Sequence, residues 1–195
     1  VQAILKITFG VESSSSAKAH RKRKMLLSSP LKPDEQNPIP LATKQGWPIP
    51  NTQFPEYEPF RAKAWLEMYP QYAKIADLRS ISRTYNCIGM VFGNRRTHIE
   101  VDHVPHILRD DGYRLIQEAE VMAGDLVIYR LKSNREVVHI GLILAQQTMA
   151  NGEIVWRILS KWGAFGGEYI HTIYNVPQEY LNGTMIEYWS ERYIP

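Results

Sequence analysis

Apolar positions after residue 60 follow two successive rhythms. Phe60, Ala64, Trp65 and Met68 fall three and four apart, as on one face of a helix, and Pro70 closes the run. Tyr72 to Leu78 adds another helical turn or two. A second helix is predicted across Asn86-Cys87-Ile88-Gly89-Met90-Val91-Phe92-Gly93-Asn94. There Ile88, Val91 and Phe92 share a face, Asn86 is a good N-cap and Gly93-Asn94 a good stop. The rhythm then changes to strand. Asp125 to Leu131 and Val137 to Ala145 are β-branched and aliphatic runs joined by the polar turn Lys132-Ser133-Asn134-Arg135. Asn151-Gly152 signals a hairpin into a third strand, Glu153 to about Ser160, and Met185 to Trp189 forms a fourth. Helices first and an antiparallel meander afterwards define an α+β class.

Residues 1–50 follow neither rhythm. Ser13 to Ser16, the basic run Arg21-Lys22-Arg23-Lys24 and a cluster of prolines ending at Pro48 and Pro50 carry too little apolar surface to offset chain entropy. They read as a basic, Ser/Pro-rich arm or linker, with the folded domain spanning residues 51–195. The charge agrees: eight Lys/Arg against three Asp/Glu lie in the arm, and fifteen against seventeen beyond it. The basic balance therefore describes the arm, and Arg21 to Lys24 read first as a solvated run, with a weak anionic partner such as nucleic acid or an anionic membrane as the alternative. No apolar run is long enough for a membrane-crossing helix. Val1 to Phe9 is too short and polar for a complete secretory signal, so the compartment reads as cytoplasmic or as exported after removal of a leader.

The chain has one cysteine, Cys87, which excludes an internal disulfide and is what a thiol enzyme requires. A free thiol titrates near about 8.5, and a helix N-terminus or a neighbouring imidazolium lowers that. Cys87 is expected at such an N-terminus, where Asn86, Cys87 and the unpaired amides of the first turn also suit an oxyanion. His139 lies within Val137-Val138-His139-Ile140-Gly141-Leu142-Ile143-Leu144, a polar ring inside an apolar strand that needs a partner. A thiolate is one partner and a backbone carbonyl is the other. His98, Glu100, Asp102, His103 and His106 crowd together, but Pro105 argues against a regular helix there. That stretch reads as a polar loop without a metal, Asp110-Asp111-Gly112 as a turn, and no cofactor is called for.

Three segments together resemble the NlpC/P60 family of cysteine hydrolases. Asn86-Cys87-Ile88-Gly89-Met90-Val91 is similar to its Asp-Cys-Ser-Gly-Leu/Phe-Val helix start. Ala123-Gly124-Asp125-Leu126-Val127-Ile128-Tyr129 resembles its Pro-Gly-Asp-Leu-Val-Phe-Phe strand, and Val138-His139-Ile140-Gly141-Leu142 its Ser-His-Val-Gly-Ile strand. The order is that of the family, over roughly residues 82–165. The resemblance implies a papain-like core with the cysteine helix packed on an antiparallel sheet. It implies that Cys87 attacks an amide carbonyl, peptide or isopeptide, and that His139 protonates the leaving group.

Two features depart from the family. Leu78 to Tyr85 lacks the glycine-rich segment that helps bind peptidoglycan stem peptides, and position 86 is Asn rather than Asp. The family takes its third triad member from the strand after the histidine. Here that region offers Ser160, with His171 as the alternative, while Arg157 and Lys161 oppose an imidazolium. Tyr85, Trp162 and Tyr169, with Trp156 and Phe165, are candidates for a substrate cleft or for core. Two other classes fit the same residues: an inactive binding module on this fold, and an effector or toxin-type domain acting on another amide or ester.

Overall fold

Leu126-Val127-Ile128-Tyr129 is apolar at every position, and all four side chains are buried. Alternation sends Leu126 and Ile128 to one face of their strand and Val127 and Tyr129 to the other, where each pair joins a separate core cluster. A strand covered on both faces reads as a continuous apolar run. The computed structural model, which describes residues 38–56, 64, 67, 70–163 and 166–192, is organised around this strand.

In chain order the strands are β1 (Asn51–Thr52), β2 (Ala76–Ile81), β3 (His98–Ile99), β4 (Arg114–Ile116), β5 (Leu126–Leu131), β6 (Val137–Thr148), β7 (Ile154–Lys161), β8 (Gly167–Thr172) and β9 (Thr184–Ser190). The helices are α1 (Cys87–Phe92), α2 (Val104–Asp110) and α3 (Gln178–Leu181). Seven strands form one sheet in the order β2-β8-β7-β6-β5-β9-β4, every neighbour antiparallel, while β1 pairs with β3. Residues of α1 and α2 pack with Leu126, Ile128, Val137 and Ile140 on one face. Tyr180 of α3 packs with Val127, Tyr129, Ile158 and Trp162 on the other. The chain is thus α+β, and among the described residues no helix is long and apolar enough to cross a membrane.

Four expectations shift. Chain packed on the domain starts before residue 50: Ile49 is in the core, Leu41 and Trp47 lie against it, and Thr43 Oγ1 donates to Asp110 at 3.1 Å. Pro48 and Pro50 sit in an extended segment, which suits their fixed φ, rather than marking a break. Tyr72 to Leu78 is not helical throughout, because a 3-10 turn ends at Lys74 and Ala76 onward pairs with β8. Pro105 falls in the first turn of α2, where its missing N–H is no loss, so His103 to His106 is the start of a helix rather than a loop. Of the helix expected from Phe60, Ala64 and Glu67 are helical and the rest lies outside the described residues, as do Arg21 to Lys24 and Phe165.

Helix α1 lies hard against the start of β3. A Cβ at Gly89 would sit 1.7 Å from the Thr97 carbonyl oxygen, a backbone atom that cannot swing aside. Gly89→Ala must therefore force α1 off the strand. Overpacking of this kind costs about 3 kcal/mol or more, which urea unfolding of the variant will register.

Candidate active site

Asn86 fixes where Cys87 sits. Its side-chain oxygen accepts from the Gly89 amide at 2.8 Å and the Ile99 amide at 3.3 Å, and its Nδ2 donates to the Ile99 carbonyl at 2.8 Å. One amide group thus caps α1 and completes the edge of β3 (the second task needs a donor that aspartate lacks). This accounts for Asn where the resembling family has Asp.

Cys87, the first residue of α1, is 4% exposed. The backbone amides of Ile140 and Ile88 and the charge of Lys161 favour its thiolate. Burial outweighs them and pushes the thiol up to about 11. A six-residue helix has too few aligned peptides to reverse that balance.

His139 is not on this face. It stands across from Tyr129 and stacks on Tyr180, with ring centroids 4.2 Å apart and planes 8° apart. Its neighbour Ile140 is the residue that turns toward Cys87. The structure therefore does not bring Cys87 and His139 together; the sheet lies between them. Burial, and secondarily His171, holds the imidazole well below its ordinary range. Among the described residues neither of its ring nitrogens has a hydrogen-bond partner.

Both choices for the third triad position lie on the His139 face and bond to each other. His171 Nδ1 donates to the Thr172 carbonyl at 2.8 Å, which leaves Nε2 to accept from Ser160 Oγ at 2.7 Å. Trp162 Nε1 donates to Ser160 Oγ at 3.1 Å. Neither Ser160 nor His171 orients His139 by a hydrogen bond among the described contacts. Trp162 and Tyr169 stack on each other at 4.0 Å and, with Trp156, are core rather than cleft.

On the Cys87 face the polar residues are others. Lys161 is fully buried, its ammonium donating to the Gly163 carbonyl at 3.2 Å and to that of Gly166, and lying 5.5 Å from the Tyr85 ring centroid. Burial lowers it to about 7, against the opposing pull of Cys87, Glu168 and Glu56. Glu168, its cross-strand partner, accepts from Tyr85 Oη at 2.8 Å and from Arg95 Nε at 2.8 Å. Arg95 reaches it from a turn in which Asn94 and Arg95 both hold positive φ, 50° and 61°. Tyr85 is pushed up to about 12, chiefly by burial. Tyr85 was legible as a site residue; Lys161, Glu168 and Arg95 were not, because only strand pairing brings residues 85, 95, 161 and 168 together. Arg157 is spent on an ion pair with Asp77 at 2.7 Å.

The crowded histidines disperse. His98 Nε2 bonds the Arg83 carbonyl at 2.7 Å, whereas His106 stacks on Trp47 and meets Asp110 at 3.0 Å. No three potential metal ligands converge among the described residues. Comparison with models of known families, with curated proteins and with solved structures found no match.

Two outcomes follow from this geometry. Asn86→Asp keeps the cap but leaves the Ile99 carbonyl without its donor and buries a charge, a loss of about 1–3 kcal/mol by urea unfolding. His98 and His171 are lowered from 6.5 to about 4, so the native state holds them neutral where the unfolded chain would protonate them. Their contribution is complete above pH 6.5 and is lost as pH falls toward 4, at about 1.4 kcal/mol per pH unit for each group. Urea unfolding across that window checks it, and His171→Gln should flatten the slope by about one proton.

Proposed function

We propose that the chain is a thiol hydrolase with a papain-like core of the NlpC/P60 kind, in which Cys87 attacks an amide carbonyl, peptide or isopeptide. The observation that carries this reading is the sulfur's environment. Cys87 opens helix α1, which Asn86 caps and which packs on an antiparallel sheet, so the sulfur stands at the end of the helix where first-turn amides lack intrahelical partners. Such amides stabilise a thiolate before attack and an oxyanion after it. The C–S bond forms as the carbonyl becomes tetrahedral, the C–N bond breaks as the amine leaves protonated, and water hydrolyses the thioester. Cell-wall peptides are one substrate class this reading admits. His139 has no part in it, since the sheet separates it from the sulfur.

One observation favours the rival reading, a silent module on the same fold: the thiol is deeply buried and pushed up to about 11. The two readings part on covalent chemistry. With 4-nitrophenyl acetate as probe, the hydrolase is expected to release a burst of nitrophenol and carry one acetyl group on Cys87, detected by mass spectrometry of the peptide. Cys87→Ala is expected to lose both, and His139→Phe, which refills the stack on Tyr180, to keep both. Absence of acetyl-Cys87 in the folded wild-type protein would leave the silent module standing.

A further inference from the structure

We propose that the cleft at the ends of β2, β6, β7 and β8 is a second binding site, which takes a small carboxylate carried on an apolar group. Its volume is about 360 Å³, within the roughly 300–1,000 Å³ of small-molecule pockets. Strand register builds it. Asp77 of β2 pairs with Ile170 of β8, and Thr172 of β8 pairs with Arg157 of β7. Paired residues and those two apart share a face, so these four side chains stand together on one side of the sheet. Lys74 and Ile75, from the turn before β2, and Met149, just beyond β6, complete the lining. Cys87 does not line this cleft, and the inference stands independently of the thiol-hydrolase reading.

Charge sets the sign of the ligand. Two cations, Lys74 and Arg157, line the cleft against one carboxylate, Asp77. His171, in its wall, is neutral, because Nδ1 donates to the Thr172 carbonyl while Nε2 accepts from Ser160. Lys74 makes no ion pair or hydrogen bond among the described residues. Arg157 gives Asp77 a single contact, from Nη2 at 2.7 Å, which leaves most of its donor fork for an incoming anion. The Asp77 side chain is 74% exposed, and an exposed pair of this kind contributes little, so turning the guanidinium toward a ligand loses little. A carboxylate matches that planar fork by two parallel hydrogen bonds.

The apolar part of the lining sets the rest. Ile75, Met149 and Ile170 belong to the same cleft, so a hydrocarbon group attached to the bound carboxylate is covered by them, whereas a bare anion leaves them wet. The cleft is also preformed. Strand pairing fixes Arg157 and Thr172, the Asn175 amide donates to the Thr172 carbonyl at 2.9 Å, and Asn175 Nδ2 reaches the Ile75 carbonyl at 3.5 Å. A ligand therefore binds without first ordering its site. Two sources carry this chemistry, a free small acid and the last residue of a peptide chain.

The test titrates N-acetyl-leucine into the full-length chain and follows backbone amide shifts by NMR. Saturable shifts are expected at Arg157, Thr172 and Met149. N-acetyl-leucinamide, which lacks the charge, and acetate, which lacks the apolar group, are each expected to bind at least about tenfold more weakly. This comparison uses the wild-type protein alone, so it holds whether or not any variant folds. Arg157→Met is expected to weaken N-acetyl-leucine at least about tenfold. Asp77→Asn removes the competing carboxylate and is expected to tighten it about two- to fivefold, the range of an exposed ion pair. Tighter binding of acetyl-Gly-Gly-Leu than of N-acetyl-leucine assigns the site to peptide ends, and weaker binding assigns it to free acids. Equal binding of N-acetyl-leucine, its amide and acetate, tighter binding of inorganic phosphate, or the absence of saturable shifts at Arg157 and Thr172 overturns the proposal.

Discussion

Burial of the central strands on both faces is the constraint from which the rest of this structure follows. β5 and β6 are covered on one side by α1 and α2 and on the other by α3 and the segment leading to it. Every side chain from Leu126 to Tyr129 and from Val137 to Ile140 enters one of two cores, and every polar group so placed must find a partner or lose its charge. Two polar groupings result, separated by the sheet. One gathers Cys87, Lys161, Glu168, Arg95 and Tyr85; the other gathers His139, His171 and Ser160.

The elements that carry this arrangement were largely legible in the sequence. Strands β5, β6, β7 and β9 fall within a few residues of their predicted spans, because apolar runs bounded by polar turns leave little choice. The start of α1 was equally clear, since Asn86 and Gly93 punctuate it. The two-residue strands, β2, β4 and β8 carry weaker patterns, and β2 in particular is a sheet edge with Asp77, Leu78 and Arg79 exposed. Nothing in such a segment distinguishes strand from helical turn until its partner β8 is known.

The sidedness of β6 was not legible. Tyr129 pairs with His139 but Arg130 pairs with Val137, so Val138 is an extra residue that bulges from the ladder. Val137 and Ile140 consequently share a core although they are three apart, and simple alternation fails across the bulge. A one-residue irregularity of this sort decides which face receives the imidazole. The motif around His139 is matched residue for residue in spacing, yet a motif does not encode the bulge. The candidate nucleophile could be read from the chain, whereas its surroundings depended on pairing between segments some seventy residues apart.

The two groupings differ in what their burial costs and in what it leaves available. Around His171 the hydrogen bonds are committed: Nδ1 donates to a carbonyl, and Nε2 accepts from a hydroxyl that an indole also addresses. Such a chain fixes one tautomer and rigidifies the core, and His139 beside it is kept neutral by burial and by His171. The Cys87 face instead holds a buried carboxylate, a guanidinium, a phenol, a thiol and an amine whose charges do not cancel in one fixed way. Replacing such an ionic group by apolar side chains commonly stabilises a protein or leaves it unchanged. At position 161, leucine or methionine would satisfy packing without burying an amine against its solvation. The lysine there is instead held by the Gly163 and Gly166 carbonyls and lies near the Tyr85 ring, so backbone dipoles and a π-face, rather than a contacting carboxylate, offset the cost of burying it.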